Sequence, residues 1–63
     1  MMEQPVGPVE GLNLALSKEV EAEKMYQKLA SEYPVAKEIF WFLANEEQKH
    51  QRLIKEKIVE LTT

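Results

Sequence analysis

The sequence predicts an all-α fold: an antiparallel hairpin of two amphipathic helices that pairs with a second copy into a four-helix bundle. Three observations predict it. Apolar residues recur at helical spacing along two long stretches, and nowhere do they alternate as a strand would require. One strong breaker, Ser31-Glu32-Tyr33-Pro34, separates the stretches, so the connection is short and the helices must lie antiparallel. The chain has 63 residues, too few to bury two apolar stripes unaided.

The elements follow in order. Residues 1–9 hold Pro5, Gly7 and Pro8 and read as an extended arm, with Pro8 suited to the first turn of a helix. A helix is expected over about residues 10–31; Gly11 blurs its start, and Asn13 is a competing cap. Its stripe is Leu12, Leu16, Ala22, Tyr26, Leu29 and Ala30, with Lys18, Glu21, Lys24 and Lys28 on a solvated face. The turn is expected at 31–34, because Pro34 pushes its predecessor out of helical geometry. A second helix, about 35–61, carries Ile39, Phe40, Leu43, Leu53, Ile54, Ile58 and Leu61. The hairpin, residues 10–62, is thus one domain.

Composition excludes several functions. There is no cysteine, so disulfides, thiolate metal sites and iron–sulfur clusters are ruled out. The net charge of −3 argues against nucleic acid, which needs clustered positive charge. Lys49, Arg52, Lys55 and Lys57 form a solvated face. The longest apolar run, Ile39 to Ala44, cannot span a bilayer. The N-terminus lacks a basic region followed by an apolar one, so no secretory signal is expected and the expected location is cytoplasmic.

Three polar residues interrupt the apolar stripes. On the second helix Glu47 and His50 lie about 60° apart, and Phe40, Leu43 and Ile54 fall within about 40° of Glu47. On the first, Tyr26 and Leu12 lie about 20° either side of Glu19. An inward carboxylate without a partner is costly, and a counter-charge or a metal is the usual remedy. Glu19 and Glu47 lie about equally far from the break, so an antiparallel hairpin brings them to one height. Two copies then supply two Glu19, two Glu47 and two His50. That set matches the di-iron sites of four-helix bundles, which take a Glu from two helices and a Glu-x-x-His from the other two. Plainer readings stand beside this one. His50 could be a helix histidine bonded to a neighbour, and Glu19 or Glu47 could pair with a cation of the second copy. Glu46 would be the inward residue if the phase were off by one; Glu23 reads as a flanking surface charge more than as an extra ligand or metal-entry residue, and Tyr26 could equally be plain core.

The pattern of Glu19 with Tyr26 seven residues on, Leu29-Ala30, and Phe42-Leu43-Ala44 running into Glu46-Glu47-Gln48-Lys49-His50 resembles the rubrerythrin/ferritin-like di-iron carboxylate family. It is especially similar to the short two-helix members that build a site between subunits, such as the encapsulated ferritins. The resemblance covers roughly residues 12–61. It implies a ferritin-like four-helix bundle, with Glu19 as a terminal carboxylate ligand, Glu47 bridging two metals and His50 as a terminal imidazole. Tyr26 would serve catalysis from beside the site, hydrogen-bonded to a ligand carboxylate. The implied cofactor is iron, two ions per dimer, with Mn or Zn also compatible. The implied activity is oxidation of Fe(II) by dioxygen or peroxide, as a ferroxidase or a peroxidase-type oxidoreductase. A full rubrerythrin has four helices in one chain and a cysteine-rich rubredoxin domain, neither of which this sequence contains.

The expected partners are a second copy, a higher homo-oligomer, and an encapsulating shell or an electron donor, with neither nucleic acid nor membrane. The alternative is a metal-free or non-catalytic helical interaction and assembly module. Phe40-Trp41-Phe42 bears on assembly. Trp41 and Phe42 point about 120° and 140° away from Glu47, on opposite sides. Burial of Trp41 is expected either beneath the arm or against another dimer.

Overall fold

The computed structural model describes residues 7–63. Helix α1 runs Pro8–Glu32 and helix α2 runs Lys37–Thr62, joined by a short 3-10 turn over Pro34–Ala36. The described residues contain no strand.

Helix α1 starts earlier than its sequence suggests. Pro8 occupies the first helical position, where a missing N–H costs nothing and φ is already set. Gly11 then donates its N–H to the Gly7 carbonyl at 2.9 Å, closing the first turn. Pro8 and Val9, read above as arm, are therefore helical; the rest of that arm, residues 1–6, lies outside the described residues.

The break also falls two residues later than expected. Pro34 restricts only the residue before it, and Tyr33 has φ −128° and ψ 77°. Ser31 and Glu32 remain helical, and the Tyr33 N–H still reaches the Leu29 carbonyl at 2.9 Å. Residues 35 and 36 belong to the 3-10 turn, so α2 begins at Lys37. At its far end the Thr62 and Thr63 hydroxyls donate to the carbonyls of Ile58 and Val59, at 2.8 and 3.0 Å. These close carbonyls that a helix end leaves open.

Helices α1 and α2 pack along their length, and the Cα atoms extend only 11 Å in the thinnest direction. One chain is thus a single layer of helices. Among the described residues only Ala30 and Ala44 are fully buried. Their methyl groups let the two backbones approach closely, but two alanines are no core. Ile39, Leu53 and Leu61 of α2 and Met25 of α1 remain about half exposed.

Trp41 is 44% exposed and lies on the flank of α2 opposite His50. Of the arm expected to cover it, residues 1–6 lie outside the described residues.

No helix among the described residues is long and apolar enough to cross a membrane.

Candidate metal centre

Glu19 projects from the middle of α1, and Glu47 and His50 from the middle of α2. Both helices turn these residues toward one face of the hairpin, as their phases require. One donor atom from each side chain lies within 4.8 Å of the other two. The His50 Nδ1 atom stands 3.0 Å from Glu19 Oε1 and 3.6 Å from Glu47 Oε1. Nδ1 is therefore the ring nitrogen aimed into the group.

The exposures form a gradient. The Glu47 side chain is 15% exposed, that of Glu19 28% and that of His50 51%. The group is rooted between the helices and opens on one flank. Ile39, Leu53 and Leu61 share that flank, each within about 60° of His50 around α2.

The electrostatics express crowding. Two carboxyl groups this close do not both ionise cheaply. Glu19 lies below the ordinary carboxylate value of 4.5, chiefly because Glu47 can donate to it when protonated, with His50 adding to the effect. The same Glu19 contact, followed by burial, pushes Glu47 above that value. His50 is raised above 6.5, first by its hydrogen bond to Glu19. Glu47 Oε1 is buried without a hydrogen-bond partner. A covered anionic oxygen lacking a donor, next to a second carboxylate and an imidazole nitrogen, is a donor set that fits a metal ion. Imidazole and carboxylate together suit iron, manganese or zinc, and the chain has no thiolate to favour softer metals.

Neighbouring residues separate more clearly than the sequence allowed. Glu46 turns away and pairs with Lys49 at 3.1 Å, so Glu47 is the inward member of the pair. Tyr26 is half-buried on the same face as Glu19. Within one chain, among the described residues, its hydroxyl makes no hydrogen bond to Glu19, Glu47 or His50.

Glu23 is not the flanking surface charge that its spacing suggested. It is half-buried and accepts from three glutamines: Gln27 of its own helix at 3.0 Å, and Gln48 and Gln51 of α2, the latter at 2.8 Å. These bonds draw its pKa below 4.5, the Gln48 bond most. The Gln51 amide also lies 3.4 Å from the main-chain oxygen of Glu19. Sequence reading passed over these glutamines; the available signal was their three-residue spacing on either side of His50.

The family model described as Rubrerythrin matches residues 10–62. No curated protein and no solved structure matches the chain.

Proposed function

Because this chain belongs to the rubrerythrin family, whose members typically bind iron, we propose that two copies pair through the face bearing Glu19, Glu47 and His50, and that the resulting four-helix bundle holds two iron ions and oxidises Fe(II) with dioxygen or peroxide. The observation that carries this reading is the buried Glu47 Oε1, which lacks a hydrogen-bond partner and converges with a second carboxylate and an imidazole. The single-layer hairpin supports the pairing, since the group opens on a flank lined by half-exposed Ile39, Leu53 and Leu61.

Glu19 and His50 would be terminal ligands in each half, and the central Glu47 would bridge. Iron held there would supply one-electron chemistry toward dioxygen or a peroxide. The protein's part is to present four carboxylates and two imidazoles on fixed helices, with the negative charge needed to favour a rising positive charge. Its carboxylates remain anionic and can shift between one-oxygen and two-oxygen contact. His50 presents Nδ1, leaving Nε2–H free for an outer acceptor that would fix the tautomer. Tyr26, half-buried two turns along α1 on the face of Glu19, would donate to a ligand carboxylate once the second copy closes the face.

An anaerobic Fe(II) titration read by native mass spectrometry, followed by admission of air, tests this reading. A dimer that takes up two ions and then develops near-ultraviolet ferric absorption supports it. A dimer that takes up none refutes it. The second reading, a metal-free assembly module, is favoured by one observation: His50 and Glu19, 3.0 Å apart, can satisfy each other by a hydrogen bond. The same titration separates the two.

A further inference from the structure

We propose that Gln51 and Gln48, which reach across from α2 to the Glu23 carboxylate, are positioning residues that set the height and rotation of α2 against α1 and so hold Glu19 opposite Glu47 and His50. The proposal deepens the metal-site reading above and rests on it for its functional meaning.

Among the described residues, four side-chain hydrogen bonds cross from one helix to the other. One is the His50–Glu19 bond inside the metal group. The other three belong to the two glutamines: Gln48 to Glu23, Gln51 to Glu23, and Gln51 to the Glu19 carbonyl. Any ion taken up by Glu19 and His50 must replace the bond between them. The glutamine bonds are the polar contacts between the helices that do not use the donor atoms themselves.

Their placement suits that task. Gln48 follows Glu47 directly and Gln51 follows His50 directly, so each amide is coupled to a donor residue through one peptide unit. Glu23 stands one turn beyond Glu19, and the Gln51 amide touches the Glu19 main chain as well. A slip of α2 by one residue along the hairpin would move these groups about 1.5 Å and rotate them about 100°, which breaks all three bonds. The apolar contacts at Ala30 and Ala44 resist such a slip weakly, because a methyl group fits many holes.

The donors are amides, not Lys or Arg. Hydrogen bonds to an anionic acceptor are stronger and more directional than neutral ones. A primary amide supplies them without placing a cation beside a site meant to attract cations. Gln27 completes the shell of Glu23 from within α1 and does not cross the interface.

The test uses the full chain and Co(II) under anaerobic conditions, with Gln51→Met and the double variant Gln48→Met/Gln51→Met to remove the bridges at nearly constant volume. Gln27→Met is the control, since it removes a Glu23 bond without removing a bridge. Loss of an outer hydrogen-bond partner typically weakens metal binding about 10–100-fold. The bridge variants should remain helical, lose roughly tenfold in Co(II) affinity and show altered visible Co(II) bands at saturation. The control should match wild type in both respects. Glu23→Gln removes the charge and keeps one acceptor oxygen, while its amide nitrogen meets one of the two α2 glutamines; one bridge survives, so it should lose less affinity than the double variant. A Glu23→Gln loss larger than that of the double variant would make charge the cause and refute positioning. A lower melting temperature with unchanged affinity and bands would likewise refute it, leaving the glutamines merely structural. Should the double variant not fold, Gln51→Met alone decides by the same criteria. If wild type takes up no Co(II), the metal-site reading fails, and the register is read in the metal-free protein from the nuclear Overhauser contact between the His50 ring and Glu19. Loss of that contact in Gln51→Met upholds the clamp, and its persistence overturns it.

Discussion

Replacing Glu47 with Gln should shift the metal-free and metal-loaded protein in opposite directions. In the metal-free chain the Glu47 side chain is only 15% exposed, its Oε1 lacks a partner, and Glu19 crowds it. An amide has nearly the same shape, carries no charge and can donate to Glu19. Satisfying a buried polar group that was left open is worth about 1 kcal/mol. In a domain this small that raises the melting temperature by roughly 4–8 °C. Metal reverses the order. At a free ion concentration about 100 times its Kd, wild type gains about 2.7 kcal/mol. The variant has lost an anionic donor from each half of the site and should gain almost nothing. Thermal unfolding followed by circular dichroism, with and without Co(II), reads both effects. Glu47→Gln should melt above wild type without the ion and below it with the ion. A variant that melts lower in both conditions, beside a wild type indifferent to the ion, would show Glu47 to be a structural partner and refute the reasoning.

Further outcomes follow from the same geometry. Since each chain offers one set of Glu19, Glu47 and His50, native mass spectrometry should find two metal ions per dimer, and an ion bound by isolated monomers would contradict a shared site. Ile39 is 52% exposed on the His50 flank, so pairing would bury about half its surface; across both subunits Ile39→Ala should cost about 2 kcal/mol, roughly a 30-fold weaker dimer by sedimentation equilibrium, and an unchanged dissociation constant would place the interface elsewhere. Glu47 and His50 both hold protons to higher pH than usual. Metal must displace those protons, so affinity should fall as pH drops through the raised His50 value, and loading in weak buffer near neutrality should acidify the solution. A pH-independent affinity between 6 and 8, on the order of the histidine range, would mean that His50 is not a ligand.

Helical phase made the convergence of Glu19, Glu47 and His50 legible in the sequence, because three polar residues stood on otherwise apolar stripes. Phase gives an angle but not the identity of the neighbour found at that angle. Each stripe here has two flanks: one toward the other helix of the hairpin, and one away from it. Gln48 and Gln51 lie toward the first and His50 toward the second, yet all three read alike as polar residues near the edge of a stripe. Glu23 was misjudged for the same reason, since its partners come from a helix whose exact height no local pattern fixes. The helix ends were blurred by different physics. Pro8 is as compatible with a helix start as with an arm, and Pro34 constrains Tyr33 without disturbing Ser31 or Glu32. Trp41 shows a further limit: an apolar ring off the main stripe indicates that something should cover it, but not what the cover is.

That Ala30 and Ala44 alone are fully buried among the described residues has a consequence for how the chain folds. A hairpin whose shared interior is two methyl groups closes fast, since its contacts are local along the chain, but it gains little on closing. Most of the free energy would then arrive at the encounter of two such hairpins, which makes folding second order in protein. The melting temperature should accordingly climb with the logarithm of concentration, and dilution alone should unfold the chain. The quantity of protein in solution, and not the sequence by itself, would then decide whether this polypeptide has a structure.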